Sequence, residues 1–79
     1  MNEKIIEILE DLNPGIDYAN STTLIDDRLI ESLVMVSLVA DLEDTFDITI
    51  PAVEIVPANF NSVDAMAALV QRLIDDSEE

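Results

Sequence analysis

The first dozen residues have the hydrophobic spacing of an amphipathic helix. Apolar side chains recur every three or four positions, so they share one face of a helix with 3.6 residues per turn. Asn2 is a favoured capping residue for its start. Asn13, Pro14 and Gly15 should end it, because proline cannot continue a helix and glycine permits a left-handed exit. The apolar face consists of Ile5, Ile6, Ile8, Leu9 and Leu12.

The second periodic stretch predicts a helix from Ser32 to Phe46. At 100° per residue, one face carries the core residues Met35, Leu38, Val39, Leu42 and Phe46. The opposite side carries Leu33, Val36, Ser37, Ala40, Glu43, Asp44 and Asp47. This outward side is apolar where the helix begins and acidic where it ends. Apolar residues on a solvent-facing surface indicate a docking site.

The third periodic stretch predicts a helix that follows Ser62, with Ser62 as its N-cap and Asp64 in its first turn. Its core face consists of Val63, Met66, Leu69, Val70 and Leu73. A short helix is expected over residues 52–56, ended by Pro57. The acidic tail, residues 75–79, is expected to fray.

Two segments lack helical periodicity. Residues 14–31 form a long first loop, and loops this long are often functional. Its apolar residues should hold it against the core: Ile16, Tyr18, Leu24, Ile25 and Leu29. Residues 47–51 form an extended connector in which Ile48 and Ile50 should be buried. The sequence therefore predicts one all-α domain, residues 1–79: a small bundle of three main helices plus one short helix.

Composition and charge narrow the possible functions. Hydrophobic residues make up 49% of the chain, so it should fold, but its net charge of -15 disfavours binding to nucleic acid or to an anionic membrane. The chain has no cysteine and no histidine, so it lacks a thiolate and an imidazole, and we do not expect an enzyme. There is no secretory signal and no membrane-spanning stretch, so we expect a cytoplasmic monomer.

Ser32 is the candidate functional residue. The simplest interpretation is that it caps the second helix. Its position also favours a functional interpretation. The hydroxyl follows a long loop and begins a helix, where a phosphate group is stabilised. Leu33 and Val36 beside it are apolar residues that we expect to point outward.

The residues around Ser32 resemble the acyl carrier protein family, which includes peptidyl and D-alanyl carriers. The family motif Asp-Ser-Leu reads Glu31-Ser32-Leu33 here. The resemblance continues through the second helix to Asp47-Ile48-Thr49-Ile50-Pro51 and resumes at Phe60-Asn61-Ser62-Val63-Asp64-Ala65-Met66. It covers essentially the whole chain and implies the family's helical bundle.

The resemblance implies that Ser32 accepts 4′-phosphopantetheine from coenzyme A through a phosphopantetheinyl transferase. The thiol of this arm would carry the cargo as a thioester, which explains how a chain without cysteine can handle acyl groups. Further partners would be an acyl- or aminoacyl-loading ligase and acyl-transferring or condensing enzymes with basic docking surfaces. The chain itself would be a stand-alone carrier.

The resemblance also implies a docking surface around Ser32. Its members would be Glu31, Leu33, Val36, Ser37, Ala40, Glu43 and Asp44, with Asp41 and Asp47 completing the charged rim. Glu31 replaces the usual aspartate, and Val34 and Ser37 stand where many fatty-acid carriers have acids. These departures indicate a dedicated set of partners.

Alternatives remain open at this point. The cargo could be fatty acyl, D-alanyl, aminoacyl or polyketide. The chain could instead be a small acidic helical adaptor that binds a basic protein and carries no prosthetic group. Its acids lack the glycine and the spacing of a calcium-binding loop, so we expect no dedicated metal site.

Overall fold

The computed structural model describes residues 1–77 and is all-helical over that range. Helix α1 spans Asn2–Leu12 and α2 spans Ser32–Phe46. A 3-10 turn at Ala52–Glu54 leads to the short helix α3, Pro57–Phe60, and α4 spans Val63–Ser77. Residues 1–77 contain no strand. The all-α bundle with a long first loop is therefore confirmed.

The core lies where α1 meets α2 and α4, and α3 closes it by packing on α4. The most deeply buried side chains of the four helices are Ile5, Leu9, Leu38, Leu42, Phe60, Met66, Leu69 and Val70. Those of α1, α2 and α4 fall on the faces that the hydrophobic spacing predicts, whereas Phe60 belongs to α3, which the spacing does not predict. Other members of those faces are partly buried and pack against this core: Ile6, Leu12, Met35, Val39, Phe46 and Leu73.

The long loop is held to the core by Tyr18, Leu24 and Ile30, all of which are buried. The prediction for Leu29 is wrong, because its side chain is 37% exposed. The reason is a turn in which the amides of Leu29 and Ile30 both donate to the carbonyl of Leu24, at 2.9 and 3.1 Å. The left-handed backbone of Arg28, with φ of 58°, reverses the chain there and brings Ile30 inward.

Two of the predicted helix boundaries are wrong. Met1, not Asn2, occupies the N-cap position of α1, and Asn2 Nδ2 instead donates to Asp64 Oδ1 at 2.8 Å. Pro57 begins α3 rather than ending a short helix. Proline suits the first turn because the backbone N–H that it lacks has no partner there.

The cap of α4 is confirmed, since the amide of Ala65 donates to Ser62 Oγ at 3.0 Å. Helix α4 includes Asp75, Asp76 and Ser77, and fraying of the acidic tail stays a prediction. Residues 78–79 lie outside the described residues. No helix within residues 1–77 combines the length and the apolar character needed to cross a membrane.

Candidate functional site

Ser32 is the first residue of α2, and its hydroxyl does not cap the helix. The N-cap position belongs to Glu31, whose backbone is extended, and no side chain caps this end. Ser32 is exposed, and Oγ makes no hydrogen bond within the part of the chain that the structure describes. The interpretation of Ser32 as a cap is therefore wrong. Its hydroxyl is free to react.

The segment that leads into Ser32 is held from two sides. Ile30 is buried two residues before it, which fixes the approach of the chain to α2. Asn13 Nδ2 donates to the carbonyl of Leu29 at 2.8 Å, so the end of α1 also holds this segment. The hydroxyl is thus presented by an anchored backbone.

Asn61 holds the middle of the long loop against the junction of α3 and α4. Its Oδ1 accepts from the amides of Ile25 and Asp26, at 2.9 and 3.0 Å. Its Nδ2 donates to Asp26 Oδ2 at 3.1 Å, and its carbonyl accepts from the amide of Leu24 at 3.0 Å. The sequence carries no signal for this role, because the bonded residues lie about 35 positions apart.

Tyr18 anchors the earlier part of the loop. It is buried, and its hydroxyl donates to the carbonyl of Asn13. Burial raises the pKa of Tyr18, and the negative charge of Glu10 raises it further. Both effects disfavour the phenolate, so a neutral Tyr18 is part of the folded state.

The outward side of α2 is exposed next to Ser32. Leu33 is 82% and Val36 is 70% exposed, which is high for aliphatic side chains. The remaining exposed members of the predicted docking surface are Glu31, Ser37, Ala40 and Asp44, and the rim residues Asp41 and Asp47 are exposed as well. These side chains are accessible to a partner.

Glu43 differs from the other members of that set. It is half-buried, and its Oε2 accepts a hydrogen bond from the amide of Ile50 at 2.9 Å. The connector places this amide there because Ile48 and Ile50 are both buried, as the sequence predicts. Glu43 therefore has a structural role that its helical position alone does not reveal.

Two grooves meet at Ser32. The larger has a volume of about 640 Å³ and lies between α2 and the segment that contains the 3-10 turn and α3. Its lining is mainly apolar and includes Ile25, Met35, Val39, Ile55, Val56 and Phe60. The smaller has a volume of about 380 Å³ and is lined by Ile25, Arg28, Ile30, Glu31, Ser32 and Met35. Neither groove is predictable from the sequence, because the walls of each come from separate segments.

These residues fit a phosphate-linked arm. The hydroxyl of Ser32 is exposed and unbonded, and it lies in the first turn of a helix, where backbone amides favour an anion. Arg28 lines the smaller groove together with Ser32, and Ser32 also lines the larger, mainly apolar groove. The fold and the site together are those of a carrier domain.

Comparison with known proteins supports this class. Residues 3–70 match the family model described as phosphopantetheine attachment site, and the chain belongs to that family. The cofactor is therefore covalently attached 4′-phosphopantetheine. This result favours the carrier over an adaptor without a prosthetic group.

The curated relatives include D-alanyl carrier proteins. The chain is 27% identical over 79 residues to the D-alanyl carrier protein of Lactococcus lactis subsp. cremoris strain MG1363, covering 98% of this chain and 100% of the relative. The D-alanyl carrier protein of L. lactis subsp. lactis strain IL1403 has the same identity and coverage. The search of solved structures gave no significant match.

Proposed function

We propose that Ser32 is the attachment residue and that the chain delivers acyl or aminoacyl thioesters to partner enzymes without catalysing their reactions. The observation that carries this proposal is the exposed and unbonded Oγ of Ser32 at the meeting point of two grooves. When bound, the arm supplies the thiol that forms the thioester. A tethered cargo reaches successive active sites at a high effective concentration.

The residues of the chain present the hydroxyl and recruit the partners. Ile30 and Asn13 hold the backbone that precedes Ser32, so the hydroxyl has a defined position. Leu33 and Val36 supply an apolar contact at the start of α2. The net charge of -15 attracts enzymes with basic docking surfaces and speeds encounter without requiring tight binding.

The proposed partners follow from this chemistry. A phosphopantetheinyl transferase installs the arm, and an acyl- or aminoacyl-loading ligase charges it. Acyl-transferring or condensing enzymes then take up the cargo. The names of the relatives mention D-alanine, so an aminoacyl unit is one cargo to test in a direct loading assay.

A modification assay tests the attachment residue. The protein is incubated with coenzyme A and a broad-specificity transferase, and intact mass and peptide mapping are recorded. The wild type should gain one phosphopantetheine on Ser32, and Ser32→Ala should gain none. Thr45→Ala is the matched control, since Thr45 is an exposed hydroxyl residue on α2 outside the docking surface, and it should be modified normally. Modification of Ser32→Ala, or a mass that maps elsewhere, would contradict the proposal.

A further inference from the structure

The basic residues of this acidic chain are few, and the side chains of two of them, Lys4 and Arg28, have no partner among residues 1–77. The chain has 3 basic residues against 18 acids. Arg72 pairs with Glu54 through a 2.9 Å contact between Nη1 and Oε2. The guanidinium of Arg28 forms neither an ion pair nor a hydrogen bond with any part of residues 1–77. Lys4 lies in α1, whereas Arg28 lines a groove that Ser32 also lines.

Arg28 is held at a defined place next to Ser32. Its backbone is left-handed, with φ of 58°, a conformation that is unfavourable for a residue with a Cβ. The turn is closed by hydrogen bonds from the amide of Arg28 to the carbonyl of Ile25, at 3.0 Å, and from Leu29 to Leu24, at 2.9 Å. Arg28 and Ser32 line the same groove of about 380 Å³.

We propose that Arg28 contacts the phosphodiester that joins Ser32 to its arm. This inference rests on the proposed function, because it requires Ser32 to be the attachment residue. The phosphodiester carries a negative charge directly beyond Oγ of Ser32, at the border of the groove that Arg28 lines. A guanidinium presents a planar fork of N–H donors that matches phosphate oxygens.

The local charges explain why such a contact is useful. Glu31 lines the same groove, and its carboxylate repels a phosphate, as does the net charge of -15. Arg28 opposes this repulsion at the point where the arm begins. Arg28 is a positioning residue: it fixes the direction in which the arm leaves Ser32 and takes no part in bond making at the thioester.

The first experiment compares apo and holo protein by nuclear magnetic resonance. On attachment of the arm, the Arg28 Nε–H resonance should shift, and that of Arg72 should stay in place because Arg72 is already paired. The ³¹P resonance of holo Arg28→Gln should differ from that of the wild type, with Arg28→Lys between them. The difference should disappear in about 1 M salt, where the screening length is only about 3 Å.

Two further variants distinguish the loss of the Arg28 charge from an effect of the substitution on folding. Arg28→Gly removes the guanidinium but suits the left-handed backbone, so it should fold at least as well and still show the altered ³¹P resonance. Arg72→Gln is the matched control for losing a base, and its ³¹P resonance should equal that of the wild type. Attachment of the arm should slow about two- to fivefold in Arg28→Gln, as expected for an exposed charge pair.

The possible results distinguish this inference from the proposed function. If Ser32 is modified but the ³¹P resonance is the same in wild type, Arg28→Gln and Arg28→Gly, and Arg28 Nε–H does not shift, the inference is wrong. A slower attachment with an unchanged ³¹P resonance also overturns it, since Arg28 then acts on coenzyme A or the transferase. If the wild type gains no arm at Ser32, the proposed function fails, and this inference fails with it.

Discussion

The backbone amide of Ile50 donates a 2.9 Å hydrogen bond to Oε2 of Glu43, which ties the connector back onto α2. The side chain of Ile50 is buried in the core, which also holds the connector in place. Glu43 also lines the larger groove at Ser32. One carboxylate therefore helps to fix the wall of this groove and the C-terminal part of the helix that begins at Ser32.

Replacing Glu43 should cost stability. Glu43→Ala leaves the part-buried amide of Ile50 without an acceptor, which should lower the free energy of unfolding by about 1–3 kcal/mol. Glu43→Gln retains an acceptor oxygen and should cost less. Urea denaturation measures both. Asp44→Ala, at the exposed neighbouring position, is the control and should change stability by no more than about 0.5 kcal/mol. Equal losses for Glu43→Ala and Asp44→Ala would show that Glu43 acts only through its charge.

Replacing Asn61 should release the long loop. Asn61→Ala removes the acceptor of the Ile25 and Asp26 amides and should lower the free energy of unfolding by about 1–3 kcal/mol. Asn61→Asp keeps an acceptor but sets a carboxylate against that of Asp26. Its loss of unfolding free energy should therefore be smaller in high salt, which screens this repulsion. Urea denaturation at two salt concentrations measures this.

Amide hydrogen exchange gives the local test of the same contact. Exchange at Ile25 and Asp26 should speed up in Asn61→Ala more than exchange at Leu38 in α2. Asn20→Ala is the control, because the side chain of Asn20 bonds only to the exposed side chain of Asp17. Unchanged protection at Ile25 and Asp26 in Asn61→Ala would contradict the holding role of Asn61.

Tyr18 should make the fold sensitive to alkaline pH. Burial and the charge of Glu10 raise its pKa in the folded state, so the unfolded chain loses the phenol proton first. The resulting stability is fully present below the unfolded pKa of about 10 and is lost as pH rises through the folded pKa. Urea denaturation between about pH 8 and 11 should show this loss in the wild type.

The variant Tyr18→Phe separates the titration of the Tyr18 phenol from that of other groups that ionise at alkaline pH. The variant leaves the Asn13 carbonyl without its donor, so it should be less stable by about 1 kcal/mol near neutral pH. It should lack the alkaline loss that comes from the phenol. Tyr18 is the sole tyrosine, so its ultraviolet absorbance reports its ionisation directly. Parallel stability curves for wild type and Tyr18→Phe over the alkaline range would show that Tyr18 does not titrate with folding.

Val36 should contribute to docking rather than to folding. Val36→Asp sets a charge on the exposed side of α2, so helicity and unfolding should change little. Transfer of the arm by the transferase should fall about tenfold in kcat/KM, as for the loss of a central apolar contact. Val53→Asp is the matched control, because Val53 is 82% exposed in the 3-10 turn, outside α2. Equal losses of kcat/KM in both variants would show that added negative charge, not docking at Val36, slows the transfer. Lost helicity in Val36→Asp would show that Val36 packs on the core.

Much of the fold follows from the sequence alone. The core faces of α1, α2 and α4 were predictable because helical spacing is a local property that sets which side chains share a face. Leu9, Leu38 and Met66 are fully buried as expected. The position of Ser32 at the start of α2 was predictable for the same reason.

The contacts between distant segments were not predictable. Leu29 and Ile30 are adjacent and both apolar, and the left-handed turn at Arg28 decides which of them is buried. The roles of Asn61 and Glu43 depend on where a loop and a connector return to the helices. Hydrogen-bond partners of this kind are set by chain path, which residue spacing does not encode.

The sequence by itself determined α1, α2 and α4, their buried faces, the acidic charge and the serine that begins α2. The tertiary structure decided that the hydroxyl of this serine is free, that two grooves meet beside it, and that Arg28 lines one of them. The physical reason is the distance along the chain between the residues that interact. Helix periodicity depends on neighbours within a turn or two, whereas a groove forms only when separate segments pack together.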